Sequence, residues 1–246
     1  MSEVKLKNVL FHMLVNDEHG ILYCYVPKVA CSNWKRVMAV LDHKAKNVDE
    51  IKFVDHDGVK RLRRYSDDEI QYRLDNYFKF MFVREPLQRL VSAYKDKLTG
   101  NNRYYTAVTV NPIIKRFRAL TGKGNEVHRP GATLEEFFMH LDSKPTRAMD
   151  EHWMPMNELC KPCAINYDFI GTIETIDEDS EELLEELNLR KVVHFPKQQK
   201  MYKNKTGPTT KELLNETPKE LIQKIINKYR LDYELFNYSL PDLNQL

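Results

Sequence analysis

The run Ile21-Leu22-Tyr23-Cys24-Tyr25-Val26 is apolar at every position and closed by Pro27, which predicts a short buried strand. A helix-like stretch follows from Trp34 to Leu41. The order recurs at residues 78–83 (Phe-Lys-Phe-Met-Phe-Val), broken by Arg84-Glu85-Pro86, and Leu87, Val91, Tyr94 and Leu98 then make one apolar helical stripe. A third strand, Tyr167–Gly171, runs into helical pattern over residues 178–187. This alternation predicts an α/β fold, a parallel sheet flanked by helices, with the loops 27–33 and 84–86 beyond the carboxyl ends of strands, where such sheets bind ligands. Ser66-x-x-Glu69, Thr133-x-x-Glu136 and Thr217-Pro218-x-Glu220 read as capping boxes, the last with proline at the first helical position. Residues 196–216 are polar, basic at their start and contain Gly207-Pro208, so they read as a long loop with a helical turn.

A chain of 246 residues buries a real core and fits one α/β domain, residues 1–246. Its 38 Lys and Arg against 36 Asp and Glu exclude a dedicated nucleic-acid binder, so any polyanion site is local. Basic residues gather at Arg61, Arg63 and Arg64 and at Lys115, Arg116 and Arg118, while acids fill Asp177 to Glu186; solvated faces account equally for both. No apolar stretch approaches the ~18 residues of a membrane span, and the first ten residues lack a signal-peptide core, so a soluble chain without membrane contact is expected. The four cysteines, Cys24, Cys31, Cys160 and Cys163, allow three pairings. Asn204, Asn215 and Asn237 each open an N-x-S/T triplet, which fits a secretory compartment.

The chemistry concentrates in two loops. Pro27-Lys28-Val29-Ala30-Cys31-Ser32-Asn33 between strand and helix aims backbone N–H groups and a helix N-terminus at an anion, with Lys28 adding charge. It is not a Walker loop, since GxxxxGK(S/T) is absent, and a strand–loop–helix with one lysine is by itself more often an ordinary connection. Arg84 at a strand end can hold a phosphate bidentately, and Ser92 on the next helix adds a hydroxyl; the bland reading is a surface arginine and a solvated serine.

Taken together, the two segments resemble those of sulfotransferases that use 3′-phosphoadenosine 5′-phosphosulfate (PAPS). YCYVPKVACSNWKR, FVREPLQRLVSAYKDK, EHWMPMNELCKPCAINYDFIG and LFNYSLP further resemble the Golgi carbohydrate sulfotransferases of the chondroitin/dermatan 4-O-sulfotransferase group. The resemblance implies a P-loop-like PAPS-dependent sulfotransferase fold, with Lys28, Val29, Ala30, Cys31, Ser32, Asn33 and Trp34 around the 5′-phosphosulfate and Arg84 and Ser92 on the 3′-phosphate. It implies PAPS as donor, no metal, and a chondroitin or dermatan chain as partner. It also implies a Golgi-luminal setting, with the membrane anchor outside this sequence. Arg89, Lys95, Lys97, Arg103, Lys115, Arg116 and Arg118 are the candidates to line an acceptor groove.

The acceptor hydroxyl must lose its proton, and His152 in Glu151-His152-Trp153-Met154-Pro155 is the candidate base, beside Lys28 as the second catalytic residue. An ordinary imidazole titrates near pH ~6.5 and so offers a proton-accepting form at neutral pH. A structural histidine beside Trp153 is the competing reading, with His56 and His128 as alternative bases. Cys160-Lys161-Pro162-Cys163 lacks the second ligand pair a zinc site needs, and it leads into a strand rather than opening a helix, so structural cysteines are expected. The rival functions are a nucleotide-dependent phosphotransferase, for which the glycines and Mg²⁺ partner are missing, and a non-catalytic glycosaminoglycan-binding module.

Overall fold

The computed structural model describes residues 10–53, 58–100, 102–121, 131–196 and 207–243. In chain order these form β1 (Met13–Asn16), β2 (Ile21–Cys24), α1 (Cys31–Leu41), α2 (Asp67–Asn76), β3 (Phe78–Val83), α3 (Pro86–Lys97) and α4 (Asn111–Phe117). There follow α5 (Leu134–Asp142), α6 (Met156–Cys160), β4 (Phe169–Thr172), α7 (Ile176–Glu186), α8 (Thr210–Asn215), α9 (Lys219–Lys228) and α10 (Arg230–Leu235). The chain divides into two compact units, Met1–Arg84 with Met156–Lys205 and Glu85–Pro155 with Thr206–Leu246. Each unit draws on two stretches of the sequence.

The first unit holds a four-stranded sheet in the order β1-β2-β3-β4. β2, β3 and β4 run parallel, with Cys24 opposite Met81 and Val83 opposite Thr172. The sheet is nevertheless mixed, not parallel throughout as expected, because β1 pairs antiparallel with β2, Met13 facing Cys24. The physical reason lies in the turn between them. Residues 17–20 are too few for a parallel crossover and return the chain directly, with Gly20 at φ 62°, where glycine escapes the Cβ penalty. Trp34 of α1 is 1% exposed and packs its indole against Phe80, Phe82 and Phe195 at ring distances of 4.9, 5.1 and 5.0 Å. Each such fully buried large side chain contributes about 1.5–3 kcal/mol. A Cys24–Cys160 disulfide ties the end of β2 to α6, and since Cys31 and Cys163 form no disulfide, none of the three two-bridge pairings is complete.

The second unit is helical around Leu90, Val91, Phe137, Phe138, Trp153, Ile225 and Tyr229. The stripe read from the sequence, Leu87, Val91, Tyr94 and Leu98, is buried in this core. Ser66 and Thr133 form the expected capping boxes at the starts of α2 and α5. Thr217 does not: its hydroxyl turns back to the Leu213 carbonyl at 2.9 Å, and Pro218 takes the cap position of α9 without a side-chain bond. A box the sequence reading passed over, Thr209 with Glu212, starts α8 inside the segment read as loop. Among the described residues no helix is long and apolar enough to cross a membrane.

Candidate active site

In the first unit, the parallel register of β2 and β3 carries the two predicted loops to the same edge of the sheet. Lys28 and Ala30 adopt φ 71° and 49°, left-handed values that cost a non-glycine residue on the order of 1–3 kcal/mol each. Val29 between them lies on the ordinary side, so the backbone alternates in hand, the arrangement that turns successive N–H groups toward one anion. Ala30 is also the N-cap of α1, and no side chain caps this helix, although Ser, Thr, Asp or Asn would do so in most helices. Arg84, at the end of β3, donates from Nη1 to the Lys28 carbonyl at 3.3 Å, which sets its guanidinium against the loop. Ser32 is half-buried with no hydrogen-bond partner among the described residues, while Asn33 accepts from Arg36 at 2.9 Å. Of the expected donor-loop residues, Val29 and Trp34 have their side chains buried in the core. An open cavity of about 820 Å³, lined by Glu18, His19, His43 and Lys46 among others, lies at the opposite end of β2 and holds none of these residues.

In the second unit, residues 150–154 form a turn whose Trp153 and Met154 N–H groups bond to the Asp150 carbonyl. The Asp150 carboxylate accepts from the His152 backbone N–H at 2.9 Å and lies 2.7 Å from its Nδ1. Tyr105 completes the cluster, its hydroxyl 3.0 Å from the same Nδ1 and 3.3 Å from Asp150. A carboxylate only accepts, so in the neutral ring the Nδ1 proton points at Asp150 and Nε2 carries the lone pair. That Nε2 has no partner among the described residues. Burial works to raise the Asp150 carboxyl, but the hydrogen bonds from His152 and Tyr105 outweigh it and hold the group below the ordinary range. Burial, then the Asp150 charge, pushes the Tyr105 phenol up. The turn is clamped from below, as Arg89 donates to the Met154 and Glu151 carbonyls at 2.7 and 3.0 Å and the Tyr229 hydroxyl donates to the Trp153 carbonyl.

The first unit carries an anion-ready loop and the second an oriented imidazole, and the chain matches the sulfotransferase family over residues 11–239. The chain belongs to the sulfotransferase family. It is 43% identical to carbohydrate sulfotransferase 14 of Danio rerio over 243 residues, which cover 98% of this chain and 66% of that protein. The human carbohydrate sulfotransferase 14 is 42% identical over 240 residues, covering 97% and 63%. Carbohydrate sulfotransferase 11 of Mus musculus is 36% identical over 253 residues, covering 97% and 70%. The chain thus spans slightly under two thirds of the length of the first two relatives. No solved structure matches it. The resemblance to carbohydrate sulfotransferases drawn from the motifs therefore holds.

In this member of the sulfotransferase family the acceptor-groove candidates divide. Arg103, Lys115 and Arg116 are exposed, and Lys95 and Lys97 are half-buried. Arg89 departs from the expectation. It is 1% exposed, and its bonds to the 151 and 154 carbonyls make it a support of the His152 turn that a polymer does not reach. Arg118 departs likewise, paired at 2.9 Å with Glu136, which is fully buried, and bonded to the Gly131 carbonyl. Ser92 lies half-buried on α3, which follows Arg84 in the chain after Glu85, with no hydrogen-bond partner among the described residues. His56, His128 and Asn204 lie outside the described residues. The sequence reading missed Asp150, Tyr105 and Glu85. Glu85 caps α3 through the Leu87 and Gln88 N–H groups, a role signalled by the following Pro86.

Proposed function

We propose that the chain is the catalytic domain, residues 1–246, of a PAPS-dependent carbohydrate sulfotransferase with a P-loop-like fold. The observation that carries the reading is Arg84 set against a strained, left-handed Lys28 loop at an uncapped helix start. Such a loop accepts a phosphate through backbone N–H groups, the helix dipole and one lysine, and needs no metal for it. The resemblance assigns Lys28, Ser32 and Asn33 to the 5′-phosphosulfate, and Arg84 and Ser92 to the 3′-phosphate. PAPS supplies an activated sulfuryl group, and Lys28 offsets charge gathering on the departing phosphate oxygens. His152 Nε2 takes the proton of the acceptor hydroxyl, and Asp150 holds the ring in the tautomer that can do so.

The proposed acceptor is the 4-hydroxyl of N-acetylgalactosamine in chondroitin or dermatan, with the Golgi lumen as the site of action. Support comes from relatives named as carbohydrate sulfotransferases and from the exposed cations Arg103, Lys115 and Arg116. Incubation with labelled PAPS and desulfated chondroitin, dermatan and heparosan, followed by disaccharide analysis, tests it. Label in 4-sulfated disaccharide is expected. Product carrying only 6-sulfate, or activity confined to heparosan, overturns the acceptor; transfer from ATP abolished by EDTA overturns the donor.

A further inference from the structure

We propose that Tyr104 is the stacking platform for the acceptor sugar, an assignment that rests on the carbohydrate sulfotransferase reading above. Tyr104 is 67% exposed although a large aromatic side chain gains by burial, and Val108, one turn on, is 51% exposed. Both stand on helical backbone Arg103–Tyr105 that continues as a π-helical turn, Thr106–Val110, a rare distortion found mostly at functional sites. The position of the ring is fixed relative to the chemistry. It meets Tyr105 edge-on at 5.3 Å and 89°, and Tyr105 in turn meets the His152 ring edge-on at 5.6 Å and 81°. Cations stand on the same segment: Lys97 Nζ lies 5.1 Å over the neighbouring Tyr105 ring, and the exposed Arg103 directly precedes Tyr104 in the chain.

An apolar plate, cations on the same segment and a proton-accepting imidazole nitrogen together specify the ligand chemistry. The plate suits the C–H face of a pyranose, the cations suit a carboxylate or sulfate on the neighbouring ring, and the imidazole suits a hydroxyl at the sugar's edge. A pyranose within an anionic polysaccharide has all three. A lone aromatic ligand such as adenine would use the plate and leave the base without a hydroxyl.

The test compares Tyr104→Ala and Tyr104→Phe with wild type in acceptor KM, in kcat, and in calorimetric affinity for a desulfated chondroitin oligosaccharide and for 3′-phosphoadenosine 5′-phosphate. Tyr104→Ala is expected to weaken oligosaccharide binding and raise acceptor KM about tenfold, the scale of one lost aromatic contact, with kcat falling less than KM rises. Tyr104→Phe keeps the plate and is expected to restore wild-type values. Unchanged oligosaccharide affinity in Tyr104→Ala overturns the proposal, as does a Phe variant as weak as Ala, which would make the contact a hydroxyl hydrogen bond. A loss confined to the nucleotide also overturns it by placing the ring on adenine. Oligosaccharide binding that depends on Tyr104 without any sulfuryl transfer would keep the platform and defeat the sulfotransferase reading instead.

Discussion

Replacing Asp150 by Asn tests whether the carboxylate sets the state of His152. The side chain keeps its shape, but its amide nitrogen is a donor, and turned toward Nδ1 it makes that atom the acceptor and moves the proton to Nε2. The interaction removed is a charge-assisted bond of 2.7 Å, with a second bond to the His152 backbone at 2.9 Å. A hydrogen bond to a charged group is worth about 1.5–3 kcal/mol, which converts to a fall in kcat of roughly 10- to 150-fold. Donor affinity, measured by calorimetry with 3′-phosphoadenosine 5′-phosphate, is expected to stay within about twofold, since the Asp150 carboxylate bonds to His152 and Tyr105 and is assigned no contact with the donor. In a His152→Ala background the same change should do little more, because the carboxylate acts through the imidazole. A folded Asp150→Asn enzyme that keeps kcat within about threefold of wild type refutes the reasoning, as does an equal loss in both backgrounds.

Arg89→Met leaves the Glu151 and Met154 carbonyls without their buried partner and should cost about 3 kcal/mol of stability by denaturant unfolding; a loss under about 0.5 kcal/mol removes the clamp from the account. Cys24→Ala should cost about 2–5 kcal/mol, because the disulfide closes a loop with a sequence separation of 136, and unchanged unfolding under reducing conditions would contradict this. Burial, with Lys144 and Arg116 nearby, pushes His140 down to about 4, so between the ordinary ~6.5 and that value the unfolded chain binds the extra proton and stability falls as pH falls. His140→Gln should flatten that slope, and an unchanged slope assigns it to other groups.

The fold was most legible where the pattern is continuous. Residues 78–83 were read as a strand and form β3, and the Leu87/Val91/Tyr94/Leu98 stripe is buried as expected. β1 escaped notice because Met13–Asn16 is four residues long and its turn carries no Asn-Gly or Asp-Gly signal. The juxtaposition of Lys28 and Arg84 was legible because each closely follows the run of a predicted strand, and the parallel register brings those two strand ends side by side. Asp150 and Tyr105 were not. An Asp two residues before a His is a common spacing, and Tyr105 reaches His152 across 47 residues that no periodicity links. Arg89 and Arg118 misled for a related reason, since a basic residue in a basic segment reads as surface until its buried partners are seen.

The central claim is that the chain moves a sulfuryl group from PAPS to a glycan hydroxyl with His152 as base. Its most direct test is transfer of labelled sulfuryl to desulfated chondroitin by wild type and His152→Ala side by side, with nucleotide affinity measured on both. The account predicts label in the wild-type product, a fall in kcat of about 10²- to 10⁴-fold in the variant, and unchanged nucleotide affinity. Absence of transfer by the wild-type protein, or most of its kcat retained by folded His152→Ala, would contradict it.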